Sequence, residues 1–414
     1  MNKKVSVGVC VSLIAIACAV TFVVTWTVSF NMYNERFPGF TQRDEISSKL
    51  QEIDAFVRNN YPGIIDDSQI AYGIFNGYIL GIGDKNTVYM TKEEYSEFLI
   101  TQEGEVITCG IIPEKQDSGY VVVSEVYYGT SAAAVGIQKG DTIISIDGNN
   151  VLDIGTDAAI KLLEGEEGTR VHITVQREGE VFGYPLVRQA IEVVSVEYAV
   201  VNNVGFIRII SFNKLTAEQF NSALQAVLEH VGEPAFDEEE PRQTKAIVID
   251  VRQVTSGYYD NLGEILSPFI GSELIAQTQL RNNLTNDFIT TTGEKTVDVP
   301  VIIMADSATS GTPELMAASL KTFAGSIIVG NNTMGDATLQ TLHRFKDLSG
   351  VLMTIAQIRP TDFEYAGVGI APDYAIDTGG ETIYELSRLA ELENITEITD
   401  PYIIKAFEII ETIT

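Results

Sequence analysis

The chain has 414 residues, enough for two or three domains, and its 45% hydrophobic and 20% charged residues are typical of a folded protein. A formal net charge of −30 argues against nucleic acids and anionic lipid surfaces as partners, because both are themselves negatively charged. The three histidines are scattered and have no cysteine neighbours, so we expect neither a metal site nor a cofactor.

An apolar run near the N-terminus predicts a membrane anchor. It extends from Val5 to Phe30 without a charged residue, which exceeds the roughly 20 residues that span a bilayer as a helix. Trp26 suits the membrane interface, and Lys3 and Lys4 place the N-terminus in the cytoplasm. A cleaved signal peptide is the alternative, but the run is long for one and lacks a clear cleavage site. We therefore expect a single-pass anchor in the cell membrane, with the bulk of the chain extracytoplasmic.

Helical patterns follow the anchor. Apolar residues recur at helical spacing over residues 41–60 and 68–82, and a third helix is predicted over residues 91–99. Thr91 and Glu94 have the spacing of a capping box, in which each side chain accepts a backbone N–H of the other residue.

The hydrophobic pattern changes to a period of two over residues 108–188, which indicates β-strands. The β-branched runs bounded by Gly and Asp are residues 120–123, 142–146 and 171–175. A short helix is predicted between them, over residues 156–163. This part of the chain is therefore expected to be a small β-rich module.

Residues 196–373 alternate short apolar runs with helical patterns, which predicts an α/β domain with a largely parallel sheet. The apolar runs are residues 204–209, 246–250 and 299–304, and the helical patterns are residues 217–231, 261–269 and 313–323. We interpret the acidic residues 236–241 as a solvated surface loop. Two further helices are predicted over residues 381–392 and 402–413.

Several stretches resemble a known family of proteases. Residues 131–148 (SAAAVGIQKGDTIISIDG) are similar to the signature of bacterial PDZ domains. Residues 310–315 (SGTPEL), 329–336 (VGNNTMGD) and 367–373 (GVGIAPD), with Gln340, are similar to the active-site region of the carboxyl-terminal processing peptidases, also called tail-specific proteases. The resemblance covers nearly the whole chain after the anchor.

This resemblance implies a multidomain fold of the α+β and α/β classes. The expected parts are a cytoplasmic stub with a transmembrane helix (1–30), a helical segment (31–105), a PDZ domain (106–190), a peptidase-like α/β domain (191–375) and a C-terminal helical segment (376–414).

The resemblance also implies that the catalytic pair of the family is missing. The family uses a nucleophilic Ser just before the Glu-Leu pair and a Lys as general base, and these positions correspond to Gly311 and Asp336. An Asp that many members carry corresponds to Thr322, whereas Gln340 is retained. The turn that resembles an oxyanion-hole element, residues 255–257, keeps one of two glycines. We therefore expect a pseudopeptidase, a serine-type peptidase fold without the chemistry of proteolysis.

An active serine endopeptidase with a different catalytic pair is the alternative. Ser310 lies next to Gly311, and a shift of one residue would present its hydroxyl as a fallback nucleophile. Lys321 falls on the following helix, Lys346 lies on another strand, and His343 is a lone histidine. A nucleophile needs a base within hydrogen-bond reach, so we favour the pseudopeptidase.

The peptide-binding site implied by the resemblance is better preserved. PDZ domains add a C-terminal tail as an extra strand and hold its carboxylate with backbone N–H groups. Cys109, Gly110, Ile111 and Ile112 stand where the family has its carboxylate loop, and Ile160 belongs to the helix that would line the side-chain pocket. Cys109 is either a redox thiol or a small buried hydrophobe, and we favour the second.

These features favour a regulatory or scaffolding protein that binds other polypeptides. The expected partners are polypeptide C-termini, the membrane through the N-terminal helix, and an active homologous peptidase. Two alternatives stay open. The PDZ fold is retained only for packing, or the acidic surface makes the protein a scaffold in the cell envelope.

Overall fold

The computed structural model describes residues 16–27, 40–232, 242–377 and 398–414. Both ends of the predicted anchor, the acidic residues 236–241 and the helix predicted over residues 381–392 lie outside these ranges. Residues 16–27 form a helix, α1, whose side chains are exposed. Within the described ranges, no helix is long and apolar enough to cross a bilayer.

The chain divides into two compact units, residues 1–74 and 75–414. The first unit contains α2 (Phe40–Asn60) and the beginning of α3 (Asp67–Leu80), so both helices predicted there are present. Arg58, in the last turn of α2, donates to Asp54 at 2.9 Å and pairs with Asp67. A cation at this position also suits the negative end of the helix dipole.

In the second unit, the rest of α3 is followed by a short strand and a capped helix, β1 (Val88–Met90) and α4 (Lys92–Glu103). The predicted capping box is confirmed, because Glu94 N–H donates to Thr91 Oγ1 at 3.2 Å and Thr91 N–H donates to Glu94 Oε2 at 2.7 Å. Both orphan donors at the helix start are thereby satisfied.

The small β-rich module follows. Its strands are β2 (Glu105–Thr108), β3 (Ile111–Lys115), β4 (Val121–Val126), β5 (Thr142–Ile146), β6 (Asn149–Asn150), β7 (Arg170–Arg177), β8 (Glu180–Val187) and β9 (Gln189–Glu192). Its helices are α5 (Ser131–Ala134), α6 (Val151–Ile154) and α7 (Thr156–Leu163). The antiparallel sheet has the order β3-β4-β5-β7-β8, with β6 beside β5, so β3 and β8 are its edges. Strands β2 and β9 pair separately.

The α/β part carries a second sheet between helical layers. Its strands are β10 (Val196–Val201), β11 (Val204–Ile209), β14 (Ala246–Asp250), β17 (Val301–Ala305), β18 (Ile327–Gly330) and β21 (Tyr374–Ala375), in that order. All neighbours from β11 to β21 run parallel, and only the β10–β11 pair is antiparallel. The predicted largely parallel sheet is therefore present.

Burial on both faces explains the continuous apolar runs in this sheet. The helices of the α/β part are α8 (Thr216–Leu228), α9 (Leu262–Ile270), α10 (Thr312–Ala324) and α11 (Pro401–Ile413). Along β14, Ile247 and Ile249 pack in the core with α8, α9 and α10, whereas Val248 packs in a second core with α11. Side chains on the two faces of β14 thus pack in two different hydrophobic cores.

A further antiparallel sheet packs beside the α/β core. It consists of β1, β15 (Glu273–Leu280), β16 (Thr285–Thr291), β19 (Thr338–Arg344) and β20 (Gly350–Pro360), and β12 (Val231–Gly232) pairs separately with β13 (Arg242–Gln243). The loops after β14, β17 and β18 leave the parallel sheet at the carboxyl ends of their strands, the edge where open α/β sheets carry ligand sites.

Candidate functional site

The loop after β17 places Gly311 at the start of α10. Its φ of 71° lies in the left-handed region, which costs little for glycine but strains other residues. A Cβ atom on Gly311 would lie 2.9 Å from Ser256 Cα and 3.3 Å from the Tyr259 hydroxyl oxygen. The position that corresponds to the family's nucleophile is therefore shaped for a residue without a side chain.

Ser310 is fixed by its backbone and is buried, with 4% of its surface exposed. Its N–H donates to the Val254 carbonyl at 3.2 Å, and its carbonyl accepts from Ser256 N–H at 2.8 Å. Within the described part of the chain, its hydroxyl makes no hydrogen bond to a Lys, His or carboxylate side chain that would activate it as a nucleophile.

Asp336 lies in the loop after β18 and is held by neutral groups. Its carboxylate accepts from Asn86 Nδ2 at 2.9 and 3.0 Å and from Thr338 Oγ1 at 2.6 Å. Asn86 Nδ2 also donates to Thr338 Oγ1, at 2.9 Å. The carboxylate at the position of the family's Lys thus joins the turn before β1 to the start of β19.

Glu314 anchors the same loop from the first turn of α10. Its fully buried carboxylate accepts from Gly335 N–H at 2.6 Å, from Asp336 N–H at 2.8 Å and from the Thr333 hydroxyl. Burial raises the pKa of Glu314, and these donors only partly offset that effect. Glu314 therefore fixes the position of Asp336 without facing solvent.

Two predicted residues of the peptidase-like region remain, Gln340 and Thr322, and only Gln340 lies in this cluster. Gln340 Nε2 donates to Thr338 Oγ1 at 2.7 Å, so Gln340 and Asp336 share one partner. The Tyr259 hydroxyl oxygen lies 3.5 Å from the Thr338 carbonyl oxygen, which connects this cluster to the turn at Gly311. Thr322 is exposed further along α10 and takes no part in these contacts.

Asn86, Tyr259 and Thr338 were missed by the sequence reasoning. Asn86 is far from the motif in sequence and reaches it only because β1 pairs with β20. Burial raises the pKa of the Tyr259 phenol, and the nearby Asp336 charge adds to the effect, so this hydroxyl stays protonated. Local sequence carries no signal for Asn86 or Tyr259.

A cleft of about 590 Å³ opens beside the cluster. It is lined by residues 253–260, residues 339–342 and the C-terminal half of α4. Gly257, in the turn that resembles an oxyanion-hole element, has a φ of 128°, and a Cβ there would lie 2.5 Å from Phe212 Cβ.

The predicted carboxylate loop lies between β2 and the edge strand β3. Gly110 has a φ of 95°, and its carbonyl accepts from Tyr127 N–H at 3.0 Å. Cys109 is fully buried, and burial raises the pKa of its thiol, which disfavours the reactive thiolate. Ile111 is buried in the same core, whereas Ile112 and Ile160 are half-buried.

Comparisons with family models match the α/β part and the small β-rich module. Residues 203–376 match peptidase family S41, and residues 122–177 match the PDZ domain. The chain contains an S41 peptidase domain and a PDZ domain. The resemblance to carboxyl-terminal processing peptidases is thereby confirmed, as is a mixed α/β fold made of a PDZ domain and an S41 domain.

Relatives of the S41 and PDZ domains carry names that fit this family. The carboxy-terminal processing protease CtpA of Bacillus subtilis is 25% identical over 353 residues, 84% of this chain and 72% of that protein. The carboxy-terminal-processing protease of Bartonella bacilliformis is 25% identical over 325 residues, 78% of this chain and 73% of that protein. A solved photosystem II D1 C-terminal processing protease is 19% identical and has a TM-score of 0.41, covering 80% of this chain and 86% of that one.

Proposed function

We propose that the protein is a membrane-anchored, extracytoplasmic pseudopeptidase that binds polypeptide C-termini through its PDZ domain and regulates or scaffolds other proteins, an active homologous peptidase among them. The observation that carries the proposal is Gly311, which stands at the start of α10 and has no side chain to act as a nucleophile. Proteolysis by the family's mechanism needs a hydroxyl at this position.

The surroundings of Asp336 support the same conclusion. A general base must be free to accept a proton from the nucleophile, and Asp336 is engaged by Asn86 and Thr338 instead. Ser310, the fallback nucleophile, is buried and has its backbone paired on both sides.

The PDZ domain supports the binding part of the proposal. Strand β3 is an edge strand next to the loop at Gly110, which is the arrangement that strand addition needs. The apolar Ile112 and Ile160 are half-buried and suit an apolar tail.

The catalytic part is tested with the full-length protein in detergent micelles. We expect no reaction with a fluorophosphonate probe and no cleavage of an unfolded protein that ends in a hydrophobic tail. The Ser310→Ala variant is the control. Labelling or cleavage that disappears in this variant would show an active serine endopeptidase instead.

The binding part is tested with apolar peptides that end in either a free acid or an amide. The amide removes the anion and leaves the backbone donors partly unpaired, so we expect a loss on the order of 1–3 kcal/mol in binding free energy. Gly110→Pro should also weaken binding, because proline fixes φ near −65°, far from the 95° at this position. Equal binding of acid and amide would favour the scaffold alternative.

The anchor is tested by cell fractionation. The uncharged run from Val5 to Phe30 should keep the protein in the membrane fraction after alkaline extraction, with the later residues accessible to protease from outside. A soluble mature form that begins near the end of this run would identify a cleaved signal peptide.

A further inference from the structure

The edge strand β3 offers only part of the hydrogen bonding that an added strand needs. Gly110 O accepts from Tyr127 N–H and Gln116 N–H donates to Tyr120 O, both at 3.0 Å, so the backbone faces β4 at both ends of β3. Backbone groups along an antiparallel strand face the neighbour at every second residue.

This alternation determines which residues between Gly110 and Gln116 face β4 and which face the open edge. The bulge in this ladder adds its extra residue, Ser124, to β4, so the alternation along β3 is not shifted. Counting from either end, Ile112 and Glu114 face β4, and the Ser124 hydroxyl indeed donates to the Ile112 carbonyl at 3.0 Å. Ile111 and Pro113 therefore turn their backbone groups away from β4, toward the open edge.

Pro113 has no N–H to offer at that edge. A tail whose carboxylate is held near Gly110 runs antiparallel to β3, so its last residue lies opposite Ile111. Its third residue from the end then lies opposite Pro113. The carbonyl of that tail residue finds no donor, so the ladder is left with a single possible hydrogen bond at this residue, from the tail N–H to the Pro113 carbonyl.

In this binding mode the tail would lie in a groove between β3 and α7, and a salt bridge stands further along it. Lys115 Nζ, at the end of β3, lies 2.5 Å from Asp157 Oδ1 in the first turn of α7. Both side chains are more than half exposed, so the pair adds little stability. It joins the two walls of the groove where the upstream residues of a tail would pass.

We infer that the PDZ groove recognises only the terminal carboxylate and the last two residues of a polypeptide, and that upstream residues of the tail go unread. The partner class is then any polypeptide with an apolar C-terminal dipeptide, whatever sequence precedes it. This inference rests on the proposed tail binding and narrows it.

The test compares a dipeptide and a hexapeptide by calorimetry on the full-length protein in detergent. The probes are N-acetyl-leucyl-valine and the same dipeptide preceded by four alanines. We expect dissociation constants within about twofold of each other. Pro113→Val restores the missing donor and should tighten the binding of both peptides about fivefold, because the acetyl carbonyl of the dipeptide stands where the hexapeptide has the carbonyl of its third residue from the end.

Pro185→Val is the matched control. Pro185 lies exposed in β8, the opposite edge of the same sheet, so this variant makes the same chemical change away from the groove. It should leave the binding of both peptides unchanged.

Two results would overturn the inference but leave the tail-binding function intact. One is that the unmodified protein binds the hexapeptide about tenfold or more tightly than the dipeptide. The other is that Pro113→Val binds the peptides with unchanged affinity. Absence of binding by both peptides to both proteins would overturn the tail-binding function, and the inference with it. If Pro113→Val fails to fold, the length comparison on the unmodified protein decides alone.

Discussion

The turn at Gly110 in the PDZ domain and the turn at Gly311 in the S41 domain differ in what surrounds them. A Cβ on Gly110 would lie 2.2 Å from Thr130 Oγ1 and 2.4 Å from Thr130 Cβ, whereas a Cβ on Gly311 would lie 2.9 Å from Ser256 Cα. Thr130 is the N-cap of α5 and cannot move freely. Glycine at 110 is thus required by packing, and glycine at 311 mainly by backbone conformation and one close neighbour.

The two domains also differ in how each surrounds a buried carboxyl group. Burial alone would raise the pKa of Asp141 in the PDZ domain, but the hydrogen bond from Arg177 Nε at 2.5 Å, the bond from Gln138 N–H and the Arg177 charge together lower it. Glu314 of the S41 domain has neutral donors, and burial prevails, so its pKa is raised. One domain buries a carboxylate paired with a cation, and the other buries a carboxyl group that is held by neutral donors and has a raised pKa.

The largest effect is expected at Gly110. Gly110→Ala combines a left-handed φ with contacts that rotation of Thr130 cannot relieve, so the PDZ domain should lose about 2–4 kcal/mol of unfolding free energy. Gly140→Ala is the matched control, because its φ of 92° is similar and no atom lies within 4 Å of its Cβ position. Chemical denaturation of both variants measures the difference, and equal losses would mean that crowding at Thr130 is unimportant.

A smaller loss is expected at Gly311. Gly311→Ser should cost about 1–3 kcal/mol of unfolding free energy and should not restore proteolysis, since no base is in place. Gly325→Ser shares the φ of 71° in open space, but its ψ of 24° differs from the −123° of Gly311, so this variant measures only the cost of an ordinary left-handed conformation. Cleavage of an unfolded protein by Gly311→Ser alone would contradict the expectation that the site lacks a base.

A still smaller effect is expected at Asn86. Asn86→Ala removes a donor from Asp336 and should cost about 0.5–1.5 kcal/mol of unfolding free energy. Lys85→Ala, a substitution at the neighbouring residue, serves as the control. A double-mutant cycle with Asp336→Ala measures the coupling, and a coupling near zero would show that this contact adds no stability.

The last prediction concerns pH, and the two carboxylates should act with opposite sign. The raised pKa of Glu314 means that its contribution to stability is complete below the unfolded pKa near 4.5 and declines as pH rises toward the folded pKa. The lowered pKa of Asp141 means that its contribution is complete above 3.8 and is lost as pH falls.

Denaturation at several pH values tests this contrast. The stability gap between the unmodified protein and Glu314→Gln should narrow as pH rises, whereas the gap to Asp141→Asn should narrow as pH falls. Gaps that change in the same direction would contradict the assignment of the two environments.

Periodic segments were predictable from the sequence because their cause is local. Strand β14 carries a continuous apolar run because both of its faces are buried, and the capping box of α4 needs only Thr91 and Glu94. The replacements at Gly311 and Asp336 are likewise visible in the chain itself. The absence of a Ser hydroxyl at position 311 needs no coordinates.

Long-range contacts were decided by the tertiary structure. Asn86 contacts Asp336 only because β1 joins the sheet beside β20. The sequence around Asn86 does not predict this strand pairing. The sequence shows that Pro113 has no N–H, but it does not show whether the backbone of Pro113 faces β4 or the open edge of the sheet. That direction depends on which residues of β4 pair with β3, because a strand's backbone groups face a neighbour that only folding supplies.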